Sequence, residues 1–245
     1  MPTFYGLGDE QLWLCPSLED SETDLSSSSR PFSYQNGLNT TADSTYGGSR
    51  AYDFDGADDY IYFYDNGING GGGFADFMTS DNWSVSFFAK CGNAAGSARD
   101  PFLGGRSRSG YSGVSFWNNF DNPLDFQMML FDSGSQVRVS WNDDPAVDTD
   151  WHHFCWYAEN GTIFFAVDGV TSSLTYSQST LPDPSIMTSF YIGRAHNFSY
   201  FLGLQDDIRL YSRTLSQDEI SYLSSARGVL GSVGGTSTLS LLGVG

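Results

Sequence analysis

One aspartate in an apolar segment needs a specific chemical partner for its side chain. Asp206 alternates with Ile208 and Leu210, so a regular strand would place its carboxylate on the apolar core face. A carboxylate buried in this way must be paired with a cation, hydrogen-bonded or bound to a metal. The sequence leaves these alternatives open: the backbone amides of a loop, the guanidinium of Arg194 or Arg209, or a metal ion.

A second group of aspartates lies close together in the sequence. Asp55, Asp58 and Asp59 surround a turn signal at Asp55-Gly56, between two strand-like segments. Ca²⁺ binds several carboxylate and carbonyl oxygens in flexible geometry, and an Asp-rich loop can supply them. The alternative is that these side chains accept hydrogen bonds from nearby backbone amides, a common role of aspartate in turns.

Tryptophans and asparagines occur together near the ends of two strand-like segments. The residues are Trp117, Asn118, Asn119, Trp141 and Asn142. An indole offers the flat apolar face, and an amide the planar hydrogen bonding, that recognition of a sugar requires. These five residues are therefore candidate ligand-binding residues. The alternative is that the tryptophans belong to the core and the asparagines to turns.

No enzymatic activity is expected from the sequence. Glycoside hydrolysis needs two carboxyl groups that face each other, whereas neighbours such as Asp206 and Asp207 point to opposite sides of a strand. His152 and His153 are also neighbours, and no zinc-binding spacing of histidine and cysteine occurs. The sequence has no Gly-x-Ser-x-Gly segment and no phosphate-binding loop.

The composition excludes two classes of partner. The 245 residues carry a net charge of −18, from 29 acidic and 11 basic residues. No basic stripe exists that could replace the counterions of DNA or RNA, so nucleic-acid binding is not expected. The excess of Asp fits turns, adaptation to salty water or cation binding. No apolar stretch reaches the length of a membrane span, so membrane insertion is not expected.

The cysteines and the first residues bear on where the protein is found. Cys15, Cys91 and Cys155 are odd in number and lack metal-binding spacing, which predicts buried free thiols. The first residues lack a basic segment followed by an apolar run, so no signal peptide is expected, and the chain is expected to be complete from Met1. The location stays open, because release inside an assembled particle is one route that needs no signal peptide.

The pattern of residues predicts many short strands. Phe, Tyr and Trp make up 16% of the chain, and 28 glycines suit tight turns. Asp55-Gly56 and Asn160-Gly161 mark turns between strands, the second being the strongest hairpin signal. The polar stretch from 18 to about 39 is predicted to be a surface loop. The predicted strands are Leu12–Cys15, Arg50–Gly56, Tyr60–Tyr64, Trp83–Lys90, Tyr111–Trp117, Leu124–Phe131, Gln136–Trp141, Trp151–Ala158, Thr162–Val167, Ser189–Gly193 and Leu204–Tyr211.

One helix and an uncharged tail follow the last strand. Ser216-Gln-Asp-Glu219 is a capping box that predicts a helix from about Gln217 to Ala226. We divide the chain into one domain, residues 1–228, and a tail, residues 229–245, that has no charged side chain. Such a tail could add a strand to the sheet edge of a neighbour, so it is predicted to be an assembly segment.

Several segments resemble the laminin-G-like, concanavalin-A-like jelly-roll family. They are Gly48–Ile61, Asn82–Lys90, Trp151–Phe154, Phe165–Gly169, Tyr191–Arg194 and Phe201–Ile220. Their order and spacing match the family from Leu12 to Arg227. The resemblance implies an all-β fold, a two-sheet antiparallel jelly-roll sandwich with one short C-terminal helix.

The resemblance also bears on ions and function. It implies a structural role for Asp206 as a ligand of Ca²⁺, with Asp55, Asp58 and Asp59 as further oxygen donors. This fold is found in lectins, adhesion modules, enzymes and virion proteins, so it does not select a function.

Two functions follow from these observations. The first is a non-enzymatic surface or structural protein of an assembly such as a phage or virus particle, of decoration or adhesion type. Its expected partners are copies of itself or other structural proteins. The alternative is a stand-alone, lectin-like adhesion module that binds carbohydrate.

Overall fold

The computed structural model describes the chain in separate ranges. They are 7–16, 24–42, 50–64, 81–92, 100–107, 112–118, 126–132, 135–141, 149–172, 176–177, 187–195 and 199–225. The strands are β1 (Leu12–Leu14), β2 (Ser33–Gln35), β3 (Asn39–Thr41), β4 (Ala51–Asp55), β5 (Tyr60–Tyr64), β6 (Trp83–Cys91), β7 (Asp100–Ser107), β8 (Ser112–Asn118), β9 (Phe126–Asp132), β10 (Ser135–Trp141), β11 (Trp151–Glu159), β12 (Thr162–Val167), β13 (Val170–Thr171), β14 (Tyr176–Ser177), β15 (Met187–Ile192) and β16 (Leu202–Tyr211). The helix is α1 (Gln217–Ser225).

The strands form two antiparallel sheets. The nine-stranded sheet has the order β13-β12-β11-β6-β16-β4-β3, with β1 beside β16 and β14 beside β12. The seven-stranded sheet has the order β10-β9-β8-β7-β15-β5-β2. One apolar cluster joins their inner faces, and aromatic rings such as Trp156 and Phe165, 4.4 Å apart, fill it. The predicted all-β, two-sheet sandwich with one short helix is confirmed.

Strand β6 shows why the sequence forms these layers. One side of the strand carries apolar residues at every second position, and all of them belong to the core between the sheets: Trp83, Val85, Phe87, Ala89 and Cys91. Phe88 is also buried, but it is not part of that core cluster. Ser84 and Ser86 lie on the opposite side, where Ser86 Oγ is 2.9 Å from His153 Nε2. The alternation predicted for this strand is therefore confirmed, and it buries one complete side of the strand in the sandwich.

The connection between β4 and β5 differs from a simple hairpin. A turn at Gly56, with φ +76°, follows β4 as predicted. However, β4 pairs with β3 and β16 in one sheet, whereas β5 pairs with β15 and β2 in the other. The turn therefore carries the chain across the sandwich. Strand β2 lies within the stretch that was predicted to be a loop, and this prediction was wrong there.

Strand β7 was not predicted, because Pro101, Gly104 and Gly105 are poor strand formers. Packing explains why residue 104 is a glycine. A Cβ at Gly104 would lie 3.1 Å from both Ala195 Cα and the carbonyl oxygen of Arg194. The segment that follows β15 therefore crosses the outer side of the seven-stranded sheet in close contact with the β7 backbone.

Helix α1 begins where its capping box predicts. The backbone amide of Ser216 donates to Glu219 Oε2 at 2.8 Å, and the amide of Glu219 donates to Ser216 Oγ at 3.3 Å. Leu215 and Ile220 are both buried in a cluster with Tyr211 and thus form the predicted staple. The helix is described to Ser225, and the tail 229–245 lies outside the described residues. Among the helices of the described ranges, none has the length and apolarity needed to cross a membrane.

Glu219 should make the stability of the fold depend on pH. Hydrogen bonds from Arg213, which donates to both carboxylate oxygens at 2.8 and 2.9 Å, are the main cause that lowers the pKa of Glu219. A carboxylate with a lowered pKa stabilises the fold above its unfolded pKa, and the effect is lost as the pH falls through the folded pKa. The contribution should therefore be complete at neutral pH and absent in strong acid.

We expect Glu219→Gln to lower the free energy of unfolding by about 0.5–1 kcal/mol at pH 7. The difference from wild type should shrink once the pH falls below about 4.3. Urea unfolding followed by tryptophan fluorescence at several pH values measures it, and the same substitution at exposed Glu159 is the control. A difference between Glu219→Gln and wild type that is the same at pH 7 and pH 3 would contradict the assignment.

Candidate functional site

Strand β16 contains a β-bulge at the position of the predicted metal ligand. Along β6, Asp206 is opposite Phe88 and Arg209 is opposite Ser86, so the register shifts by one residue between them. Asp207 has φ +48°, a left-handed conformation that Asp tolerates better than most residues. A bulge of this kind reverses the side to which the following residues point.

The prediction that Asp206 lies on the core face with Ile208 and Leu210 was therefore wrong. Ile208 and Leu210 belong to the core between the sheets. Before the bulge, it is Gln205 that points inward, and its Nε2 donates to the carbonyl oxygen of Phe102 at 3.1 Å. Asp206 lies on the other side of the sheet with Phe88, although it is fully buried there too.

Asp206 is hydrogen-bonded in this buried position, which is one of the alternatives that the sequence left open. Its Oδ1 accepts from the backbone amide of Asp207 at 2.8 Å and from Cys15 Sγ at 3.6 Å. Burial first, and then the charge of Asp206, raise the pKa of the Cys15 thiol, so the thiol stays protonated and remains a donor. Cys15, Cys91 and Cys155 are all free and buried, as predicted.

The bulge residue itself holds a buried ion pair. Asp207 accepts from Arg209 Nε at 2.8 Å and Nη2 at 3.0 Å, and from Trp13 Nε1 at 2.7 Å. The guanidinium of Arg209 lies 4.4 Å from the ring of Trp13, and its Nη1 is 3.5 Å from Glu10 Oε1. This network connects β1 to β16 on the outer side of the nine-stranded sheet. The network therefore stabilises the fold.

The structure brings together the other three predicted metal ligands. Carboxylate oxygens of Asp55, Asp58 and Asp59 lie within 4.8 Å of one another. Asp55 Oδ1 accepts from the amides of Ala57 and Asp58 at 2.7 and 3.3 Å, and Asp59 Oδ2 accepts from the amide of Asp55 at 3.3 Å. Burial raises the pKa of Asp59. These oxygens fit the ligand chemistry of Ca²⁺ and equally stabilise the turn, and Asp206 is not one of the group.

The predicted sugar-binding residues do not share one exposed surface where the structure describes them. Trp117 is fully buried on the outer side of the seven-stranded sheet against Met129. Asn118 and Trp141 are buried on its inner side, where Asn118 Nδ2 lies 3.3 Å from Cys91 Sγ. Both tryptophans are thus core residues, the alternative that the sequence left open. Asn119 and Asn142 lie outside the described residues.

A different aromatic group lies on the outer side of the seven-stranded sheet. Ile61 and Phe63 of β5 point into the core, so Tyr60 and Tyr62 point outward. Tyr62 is paired with Tyr191 of β15, and their rings stack at 5.3 Å and 20°. These tyrosines, together with Tyr200 and Arg194, form what we call the tyrosine face. Tyr60, Tyr62 and Tyr200 are partly exposed.

Arg194 holds the rings of the tyrosine face in place. Its guanidinium carbon lies 4.6 Å from the ring centre of Tyr60, 4.8 Å from that of Tyr191 and 5.5 Å from that of Tyr200. The residue is only 7% exposed, so these cation–π contacts are largely shielded from water and gain strength. A bridge between Arg194 and Tyr200 closes the loop that presents both residues.

The local sequence explains how this loop reaches the tyrosine face. Gly193 precedes Arg194 with φ +78°, and a Cβ at Gly193 would lie 2.2 Å from an atom of the Phe54 ring. The amide of Ala195 then donates to the carbonyl oxygen of Ser199 at 3.1 Å, above Gly104. Two glycines thus allow the chain to leave β15 and return across the outer side of the sheet.

Sequence reasoning missed the tyrosine face, although one signal was available. In Tyr60-Ile-Tyr-Phe-Tyr64, tyrosines alternate with the apolar residues Ile61 and Phe63, so both sides of the strand carry large side chains. The solvated side of a strand normally carries smaller polar or charged residues instead. Tyrosines at the outward positions therefore indicated a surface that binds something or is partly covered. The contribution of Arg194 could not be inferred, because it depends on pairing between distant strands.

The two packed antiparallel sheets define a β-sandwich of lectin or glucanase type. The family model of the concanavalin A-like lectin/glucanases superfamily, in its laminin G form, matches residues 54–221. The chain belongs to this family, and the resemblance stated from the sequence is confirmed. No curated protein sequence is significantly similar to the chain.

Solved structures share the fold at low sequence identity. Domain 4 of AbnA, an extracellular arabinanase from Geobacillus stearothermophilus in complex with arabinotriose, is 16% identical with a TM-score of 0.66, over 88% of this chain and 98% of that one. The binding domain of botulinum neurotoxin DC in complex with SialylT is 12% identical with a TM-score of 0.67, over 89% of this chain. This chain spans about half, 51%, of the neurotoxin domain. At these identities the similarity shows the fold.

The buried pair of Asp207 and Arg209 predicts a large effect of a small substitution. Asn is similar to Asp in shape and also tolerates positive φ, so Asp207→Asn removes little except the charge. We expect it to lower the free energy of unfolding by about 3–5 kcal/mol, because it removes the carboxylate that accepts two hydrogen bonds from the buried Arg209 and leaves the guanidinium facing Glu10 at 3.5 Å.

The control for this variant is Asp58→Asn, the same substitution at an exposed turn residue, measured in the presence of a chelator. Its effect should stay within about 0.5 kcal/mol. Thermal and urea unfolding measure both variants. Equal losses in the two variants would show that the buried network contributes no more than a surface aspartate.

Proposed function

We propose that this protein is a non-enzymatic carbohydrate-binding module whose ligand lies on the tyrosine face. The observation that carries the proposal is the group of partly exposed tyrosine rings around Arg194 on the outer side of the seven-stranded sheet. Aromatic rings provide the flat apolar surface against which the C–H groups of a sugar ring pack, and the tyrosine hydroxyls add hydrogen bonds.

The rigidity of the tyrosine face supports this proposal. Tyrosine has few rotatable bonds, and packing against Arg194 restrains Tyr60, Tyr191 and Tyr200 before any ligand binds. A surface ordered in advance loses less conformational entropy on binding. Proteins of similar fold give further support, since one of them was solved in complex with arabinotriose and another in complex with SialylT.

We propose binding without cleavage. Hydrolysis of a glycoside requires two carboxyl groups on either side of the scissile bond. The tyrosine face offers rings and hydroxyls, which bind a sugar, and a buried guanidinium that supports the rings, but these groups do not supply that pair of carboxyl groups. Incubation of the protein with an oligosaccharide that it binds, followed by analysis for new reducing ends, tests this part of the proposal.

Two variants, each with one tyrosine replaced, test the location of the site. A glycan array identifies a ligand, and titration calorimetry then compares Tyr60→Ala with Tyr222→Ala. Tyr222 is an exposed tyrosine on α1, 44% accessible and separate from the tyrosine face, so it controls for loss of a surface ring. We expect Tyr60→Ala to weaken binding about 10-fold or more, because aromatic residues often dominate binding energy.

Tyr222→Ala should bind as wild type does, and both variants should keep the wild-type melting temperature within a few degrees. Equal affinity of Tyr60→Ala and wild type, with both folded, would place the site elsewhere on the sandwich. Failure of the wild type to bind any glycan would contradict the proposed function itself.

The role in an assembly, in the form of a phage or virus surface protein, stays a prediction, and so does binding of Ca²⁺. Both are tested by light scattering of the full chain and of a chain that ends at residue 228, each with and without a chelator. Assembly through the tail predicts a defined oligomer that the truncation converts into a monomer. A monomeric full chain would contradict it, and loss of an oligomer on chelation would indicate a bound divalent cation.

A further inference from the structure

We infer that the tyrosine face takes a neutral oligosaccharide of more than one sugar unit, which lies across strands β2, β5 and β15. The inference rests on the proposed function and adds the class of ligand. It follows from three features of the described residues: the polar side chains beside the tyrosines, the extent of the aromatic surface, and the charges near it.

The polar side chains that strand β2 places beside the tyrosines are uncharged. Strand β2 lies at the edge of the seven-stranded sheet, where Ser33 is paired with Tyr62 and Gln35 with Tyr60. Paired residues in antiparallel strands point to the same side of the sheet, so Ser33 and Gln35 border the rings. Gln35 Nε2 donates to Ser33 Oγ at 2.7 Å, which fixes the amide, and Ser33 is exposed. An amide and a hydroxyl both donate and accept, as the hydroxyl groups of a neutral sugar require.

The aromatic surface is larger than one sugar ring. The ring centre of Tyr60 lies 6.4 Å from that of Tyr62, 5.8 Å from that of Tyr191 and 6.2 Å from that of Tyr200. A single pyranose or furanose is about as wide as one phenol ring and covers one of these positions. An oligosaccharide can contact Tyr60, Tyr62 and Tyr200 together, so affinity should increase with the number of sugar units.

The charges near the tyrosine face disfavour an anionic sugar. The turn that bears the Asp55, Asp58 and Asp59 carboxylates directly precedes Tyr60, and the whole chain carries a net charge of −18. The positive charge of Arg194 is enclosed by three rings, and only 7% of the residue is exposed. An anionic ligand would therefore meet the carboxylates before it met the guanidinium, and it would be repelled at low ionic strength.

Arg194 is a positioning residue in this arrangement. It acts on the ligand through the rings that it restrains, and Arg194→Lys keeps the charge but loses the planar group that stacks on several rings. We expect this variant to weaken binding of the neutral oligosaccharide several-fold. Arg194→Lys should also change the near-ultraviolet circular dichroism of the tyrosines in the ligand-free protein. If Arg194 acted only by contacting the ligand, this signal would stay the same.

The experiment titrates the full chain with two matched series of glycans. One series contains neutral homo-oligosaccharides from one to five units, and the other contains the same chains with a terminal uronic or sialic acid. We expect at least a 10-fold gain in affinity between one and three units in the neutral series. The acidic series should bind more weakly in low salt, and the difference should shrink as salt is added.

Variants locate the effect on this face. Gln35→Ala and Tyr62→Ala should each reduce the affinity for the neutral trisaccharide several-fold, whereas Tyr222→Ala should not change it. The melting temperature of each variant confirms that it is folded.

The outcomes separate the inference from the proposed function. Tighter binding of the acidic series, lost in Tyr60→Ala, would overturn the inference and leave the carbohydrate-binding function in place. Binding of a monosaccharide as tightly as a trisaccharide would overturn the proposed length. Absence of binding to either series, and to a broader glycan array, would overturn both the function and the inference.

Discussion

The constraint on which the nine-stranded sheet depends is the double partnership of β16. On one side this strand pairs with β6 along almost its whole length, and on the other it pairs first with β4 and then with β1. The bulge at Asp207 lies between these two partners. A charged residue in a left-handed conformation, buried at the middle of a sheet, would be costly without compensation. The two hydrogen bonds from Arg209 and one from Trp13 supply it and connect the first strand of the fold to the last.

The two outer sides of the sandwich have different roles. On the nine-stranded sheet, the helix and the N-terminal segment cover the outer side and bury polar groups such as Glu10 and Asp24. Asp24 accepts from the amides of Trp13, Ser26 and Arg30, so it determines the path of that segment. The seven-stranded sheet instead presents partly exposed tyrosines, which pack against Arg194 in the segment that crosses its outer side. The proposed recognition surface is therefore on the side of the molecule opposite the buried polar network.

Local features were predictable from the sequence and long-range ones were not. The capping box at Ser216 and the hairpin turn at Asn160 involve residues a few positions apart, and both form as predicted. The predicted orientation of Asp206 was wrong because β16 contains one extra residue relative to β6, which reverses the side to which the later side chains point. This bulge is visible only once β16 is paired with β6. The tyrosine face depends on pairing between β5 and β15, more than a hundred residues apart in the chain, so alternation alone indicates its tyrosines but not their partners.

The proposed recognition of a sugar by aromatic rings suits a protein with so large an excess of acidic residues. A net charge of −18 produces repulsion between copies at low ionic strength, and it weakens any contact that relies on attracting anions. Packing of a sugar against tyrosine rings depends on apolar area and on hydrogen bonds, which respond little to salt. Arg194 fits this argument, because its positive charge makes cation–π contacts with the tyrosine rings and is largely shielded from a ligand. An acidic surface and the proposed aromatic binding site are then compatible properties of a single sandwich.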